Sequence, residues 1–174
     1  MSMLRNIYLQ WVRNYACDYD YTIVWDMDVI GSIYLDGIAS SIYYLSTSNA
    51  TGMCANGLYR WGLLTLYYDT YACLHPGEKF YLRDKTYHDI KKGLGMRYDY
   101  NHPPVKMDSC FGGFTIYKTN ALLNDNIKHE YQEGDNIECE HVILHRNIRK
   151  YSHDPEDSRL YHNPRMINFI LLND

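Results

Sequence analysis

A chain of 174 residues with 46% hydrophobic content has enough apolar material for about one domain with a buried core, which excludes intrinsic disorder. Its formal net charge of -4 lacks the basic excess of a protein whose main partner is a nucleic-acid backbone, so nucleic acid is excluded as the principal ligand. Aromatic residues reach 15% and are mostly Tyr, whose apolar face and hydrogen-bonding tip suit sugar surfaces.

The chain opens with Leu4, Ile7, Tyr8, Trp11, Val12 and Tyr15 at the spacing of one helical face, which predicts an amphipathic helix ending before Asp18. Tyr21-Thr22-Ile23-Val24-Trp25 is a β-branched and aromatic run fit for a buried strand, and it leads straight into Asp26-Met27-Asp28. Asp36 is placed to cap a second helix through Ile38, Ser41, Ile42 and Leu45, followed by a strand over residues 50–55 closed by Asn56-Gly57. The segment 74–104, with Pro76, Gly77, Gly93, Gly95 and Pro103-Pro104, reads as a loop excursion. Gly112-Gly113 precedes a strand over residues 114–118, another strand is expected over 142–144, and residues 166–172 after Pro164 form a last buried element. Alternating helix and strand predicts an α/β layer fold, and without linker or repeat the whole span 1–174 reads as a single domain.

Cys17, Cys54, Cys73, Cys110 and Cys139 are odd in number and scattered, with no CxxC pair, which argues against a disulfide framework or a zinc ribbon. The first 16 residues carry Arg5 and Arg13 rather than a signal-peptide core, and no later run is apolar enough to span a bilayer. The expectation is a reduced, cytoplasmic chain with no membrane segment of its own.

The chemistry centres on Asp26 and Asp28. Two carboxylates at a strand's carboxyl end can hold a divalent cation and leave positions open for phosphate oxygens, on the rim where open α/β sheets bind ligands. Glu140, His141 and His145 form a second cluster. On a strand, His141 and His145 would share one face and Glu140 the other. Gly112 and Gly113 remove side chains where a backbone has to approach a ligand.

The ordered series Arg5-Asn6-x-Tyr8-Leu9, Ile23-Val24-Trp25-Asp26-Met27-Asp28, Ala55-Asn56-Gly57, Tyr68-Asp69-x-x-Ala72, Ser109-x-Phe111-Gly112-Gly113-Phe114-x-Ile116-Tyr117-Lys118 and Cys139-Glu140-His141-Val142-x-x-His145 resembles the GT-A type nucleotide-sugar glycosyltransferases over nearly the whole chain. The resemblance implies a Rossmann-like GT-A fold and transfer of a sugar from a nucleotide-diphosphate donor to a glycan or other hydroxyl acceptor, with Mn²⁺ or Mg²⁺ at the diphosphate. On the matching positions it implies Asp28 and Asp26 at the metal, His145 or His141 as a further ligand with His162 behind them, and Arg5, Asn6, Gly112 and Gly113 at the donor. Glu140, with Asp108 as its competitor, would be the general base of an inverting reaction. Asp69 reads as a helix-start cap or a contact to donor hydroxyls.

In the fold so implied, a nucleotide-binding strand precedes the helix that opens this sequence. The expectation is therefore a GT-A fold incomplete at its N-terminus, completed by an upstream segment or a second chain and poorly soluble alone. Two other functions compete. A haloacid-dehalogenase-like phosphatase also begins with a hydrophobic strand and Asp-x-Asp, but Gly134-Asp135 lacks the second late acid such enzymes need. A catalytically degenerate carbohydrate-binding relative of a transferase would bind sugar without metal or nucleotide.

Overall fold

The β-branched and aromatic pentapeptide Tyr21–Trp25 suits a pleated, half-buried surface, and in the computed structural model of this protein it is strand β1. The structure describes residues 2–27, 31–79, 86–130, 138–151 and 159–171. Asp28, Gly134, Asp135 and Leu172 lie outside them. In chain order the elements are α1 (Ser2–Tyr15), β1, α2 (Leu35–Thr47), β2 (Ala50–Trp61), β3 (Leu64–Tyr67), α3 (Thr86–Gly95), β4 (Val105–Met107), β5 (Phe114–Lys118), a 3-10 turn (Thr119–Leu122), α4 (Glu140–Tyr151) and β6 (Arg159–Ile170). The six strands form one sheet in the order β1-β5-β2-β6-β4, with β3 paired to β2. Only β2 and β6 pair in parallel among them. The architecture is mixed α/β, as the alternation of elements predicted.

The period-2 alternation of the strands separates two cores. Cys54, Tyr117 and Leu160 point to one face, where Leu9 and Val12 of α1 and Leu144 and Ile148 of α4 cover them. Met53, Ala55, Phe114 and Ile116 point to the other, under Leu45 of α2. Ile38 and Ile42 of α2 pack on this second core and Ser41 is buried, so the predicted face of that helix is the observed one.

Several expectations are corrected. On α1 the buried stripe runs through Leu9, Val12 and Ala16, while Leu4, Ile7, Trp11 and Tyr15 face outward, each more than half exposed. The predicted face is therefore right for Val12, which is buried, and Tyr8, which packs on the core, and wrong for the other four, because the helix carries apolar residues on two faces. Tyr34, not Asp36, holds the N-cap position of α2; Asp36 lies in the first turn, where its charge complements the helix dipole. β2 continues through Asn56-Gly57 to Trp61, and the last strand begins at Arg159, well before Pro164. The predicted strand over 142–144 is the middle of α4, whose buried run Val142-Ile143-Leu144 carries no information on period. Part of the expected loop 74–104 is helix α3.

The sulfurs of Cys54 and Cys110 are joined as a disulfide with Cα atoms 5.8 Å apart, against the expectation of a wholly reduced chain. Their separation of 56 residues carries no sequence signal. The glycine turn that follows Cys110 packs on β2 and brings the two together. Cys17, Cys73 and Cys139 are free. No helix among the described residues is long and apolar enough to cross a membrane.

Parallel pairing of β2 with β6 is interrupted where Ala55 faces Asn163 and Asn56 faces Ile167. Pro164 cannot donate to a ladder, and the irregularity accommodates it. Asn163 Nδ2 donates to Ser41 Oγ at 2.8 Å, and Asn56 Nδ2 donates to the Pro164 carbonyl at 3.2 Å.

Gly112 and Gly57 let two backbones touch. A Cβ on Gly57 would lie 2.5 Å from the Gly112 carbonyl oxygen, and one on Gly112, whose φ is +64°, would strike the Ala55 carbonyl. Gly113 O accepts a bond from Asp26 N at 3.0 Å, extending the β1–β5 ladder to the first acid. We expect Gly112→Ala to cost more than about 2 kcal/mol, because a left-handed backbone and a backbone clash coincide. Urea unfolding of the two proteins checks this, and a loss of only a few tenths would contradict it.

Candidate functional site

β1 ends at Trp25, so Asp26 emerges from the sheet beneath α1. Arg5 and Tyr8, three positions apart on α1, share the face that looks down on it. Glu140 and His141 arrive in the first turn of α4, and Tyr68 and Asp69 at the end of β3. These groups line a cleft of about 510 Å³, together with Leu4, Val24, Trp25, Met27, Tyr71 and Cys139.

Arg5 is its electrostatic centre. Its Nη2 lies 3.3 Å from Asp26 Oδ1 and its Nε 3.1 Å from Glu140 Oε1, with side-chain exposures of 17%, 23% and 26%. Burial alone would lower the Arg5 pKa, but Asp26 and Glu140 outweigh it and hold the guanidinium firmly charged. Arg5 Nε nevertheless has no aligned hydrogen-bond acceptor. The ion pair rests on charge proximity, not on the bidentate fork that strengthens Arg–carboxylate contacts.

His141 is 3% exposed, stacks on Phe111 with centroids 3.8 Å apart, and makes no hydrogen bond through either ring nitrogen. Burial, then the charge of Arg5, pushes its pKa well below the ordinary value, so the ring is neutral. An unsatisfied buried imidazole at a cleft wall calls for a partner, because such groups are otherwise hydrogen-bonded.

His145, one turn further along α4, is the opposite case. Ser109 Oγ donates to the Ala72 carbonyl at 2.6 Å, so His145 Nδ1–H donates to Ser109 Oγ at 2.8 Å and Nε2 accepts from the Tyr117 hydroxyl at 2.7 Å. Burial lowers its pKa to about 3. The histidine expected first as a metal ligand has both nitrogens in use beneath the cleft, and the one held in reserve faces it. The helical spacing of residues 141 and 145 puts both on one side of α4, with ring centroids 6.2 Å apart.

Asn6, Asp108, Gly112 and Gly113 do not line the cleft. The Asn6 amide grips the backbone of His129, donating to its carbonyl and accepting from its N–H, both at 2.8 Å. Asp108 accepts from Arg149 Nη1 at 2.6 Å and from Gly77 N at 2.9 Å, tying α4 to a loop. The glycine pair serves the backbone contacts described above. His162, the third candidate, is fully buried beside Tyr67 and Tyr98, away from this cleft.

Two groups carried no assigned role in the sequence. His129 donates through Nδ1 to the Glu140 carbonyl at 3.2 Å and accepts from the Tyr8 hydroxyl at 2.9 Å, linking α1 to the start of α4. The spacing of Tyr8 from Arg5 was a usable signal for the tyrosine, but nothing marked His129. Asp69 caps no helix. It has a φ of 66°, the one left-handed non-glycine backbone among the described residues, and it lines the cleft. Although the residue keeps some exposed surface, its carboxyl is desolvated. That burial, then the charges of Asp26 and Glu140, raises its pKa to about 8.

Among the described residues, no group of three or more His, Cys, Asp or Glu side chains is arranged to hold a metal ion. Asp26 and His141 offer one oxygen donor and one nitrogen donor on a common cleft. A cation there would also need Asp28, outside the described residues, or oxygens of a bound ligand. Such mixed coordination suits Mg²⁺ and Mn²⁺.

Folded Asp69 keeps its proton up to a pH of about 8, whereas the unfolded chain releases it near 3.8. Stability from this group is therefore full below pH 4 and lost as pH rises through 8. Asn tolerates a left-handed backbone. Asp69→Asn is expected to stabilise the fold by on the order of 5 kcal/mol at pH 8, with the gap closing toward pH 4. Urea midpoints across that range test it; a gap independent of pH would contradict it.

Compared with known protein families the chain matches none, and no curated protein is significantly similar to it.

Proposed function

We propose that this chain is the catalytic domain of a GT-A type, metal-dependent glycosyltransferase that moves a sugar from a nucleotide-diphosphate donor to a hydroxyl acceptor. The supporting observation is the convergence on one cleft of Asp26, Glu140, Arg5 and the unpartnered imidazole of His141. Those residues come from three of the separate motifs through which the sequence resembles that family. In this reading Asp26, Asp28 and His141 hold Mn²⁺ or Mg²⁺, and the ion when bound neutralises charge on the departing diphosphate.

The chain's own residues supply the rest. Arg5 carries a fixed fork of donors toward phosphate or sugar oxygens. Trp25, Tyr68 and Tyr71 give the cleft aromatic faces against which a sugar ring can pack. Glu140 accepts the proton of the acceptor hydroxyl as the new C1–oxygen bond forms and the C1–oxygen bond to the diphosphate breaks. Asp69, protonated near neutrality, can donate a hydrogen bond to a sugar oxygen where an ionised acid could only accept one.

The test is thermal stabilisation by a panel of nucleotide sugars with and without Mn²⁺, on the native chain, Asp26→Asn and Asp28→Asn. Stabilisation that requires Mn²⁺ and disappears in both variants is expected. Sugar binding indifferent to metal and nucleotide would replace the transferase with a carbohydrate-binding module, and a stable phosphoaspartate at Asp26 would favour a phosphatase.

A further inference from the structure

The cleft holds one guanidinium between two carboxylates, a net of one negative charge across Arg5, Asp26 and Glu140. Three features of this arrangement point to a group that can leave its place. Arg5 reaches each carboxylate with a different nitrogen, and the Nε nearer Glu140 makes no aligned hydrogen bond. The guanidinium carbon sits 5.8 Å from the centroid of Phe111, a face that can hold a cation while its ionic partners change. His141, stacked on that same Phe111, keeps both ring nitrogens without partners at the wall of the cleft. Two carboxylates with one residual negative charge and an imidazole with unused nitrogens offer oxygen and nitrogen donors on one cleft.

We infer that Arg5 is the resident counter-ion of this cleft: it gives up Asp26 when a divalent cation takes that carboxylate, and its freed guanidinium then grips the anionic group of the ligand. The inference rests on the metal-dependent reading above and adds an order to it. Two charges cannot share Asp26 without repulsion, so Arg5 opposes the binding of cation alone. A ligand that carries phosphate oxygens offers the displaced guanidinium a new anionic partner and removes that opposition. Cation and anion are thereby coupled through one side chain, and by linkage each tightens the binding of the other.

Isothermal titration with Mn²⁺ alone, pyrophosphate alone and the two together tests this on the native protein, Arg5→Gln and Arg5→Lys. Circular dichroism and thermal unfolding establish that each variant is folded. In the native protein Mn²⁺ alone is expected to bind weakly and to bind at least about tenfold more tightly with pyrophosphate present. Arg5→Gln should bind Mn²⁺ alone about tenfold more tightly than the native protein and lose most of the pyrophosphate enhancement, whereas Arg5→Lys keeps the weak binding. If Arg5→Gln is unfolded, the native protein alone still decides, because a Mn²⁺ affinity that pyrophosphate does not raise overturns the exchange. Equal Mn²⁺ affinity in native protein and Arg5→Gln, with binding abolished by Asp26→Asn, overturns the exchange while leaving the metal site standing. Absence of Mn²⁺ binding to the native protein under every condition overturns both.

Discussion

Arg5 touches two acids that come from different parts of the chain, and through them it fastens the opening helix to the end of β1 and to the start of α4. Its neighbours repeat the link with neutral groups: Tyr8, on the same face of α1, bonds His129, which bonds the Glu140 carbonyl, and Asn6 holds the backbone of His129. Removal of the guanidinium would leave two partly buried carboxylates facing each other, a far larger penalty than the loss of a surface ion pair. The ion pairs and the neutral links beside them together hold the cleft between α1, β1 and α4.

The same concentration of charge explains the less comfortable features around it. Asp69 is held in a left-handed backbone, and burial beside Asp26 and Glu140 keeps its carboxyl protonated to an unusually high pH. Strain and an unfavourable ionisation at one residue are costs that the fold tolerates where a ligand is to be met. His141 and His145 show how differently two imidazoles four residues apart can be used. One closes a hydrogen-bond network between Ser109 and Tyr117, and the other stacks on Phe111 with its nitrogens unused.

Much of this was legible in the sequence where residue type and period agree. The strand Tyr21–Trp25 with Asp26 at its tip, helix α2 and strand β5 follow from β-branched runs, apolar spacing and turn residues. Legibility failed where a segment is apolar on all sides. Val142-Ile143-Leu144 reads equally as strand or helix, and α1 offers two apolar faces, of which the one with Leu4, Ile7 and Trp11 remains uncovered in the described structure. At the site, Arg5, Asp26, Glu140 and His141 were all candidates from their motifs. Asn6 and the glycine pair belong to the same set of motifs but serve backbone contacts, and Asp108, the alternative base, ties α4 to a loop through Arg149 and Gly77. A motif names neighbours in sequence, and only packing decides which of them looks into the cleft.

The direct test of this account is pulsed electron paramagnetic resonance of bound Mn²⁺, which detects an imidazole nitrogen in the coordination shell. With a nucleoside diphosphate present, the native protein should show a histidine-nitrogen coupling that is lost in His141→Phe. Coupling that survives in His141→Phe, or a bound ion with no nitrogen ligand in the native protein, would contradict the assignment of His141 to the metal and the geometry on which the proposed chemistry rests.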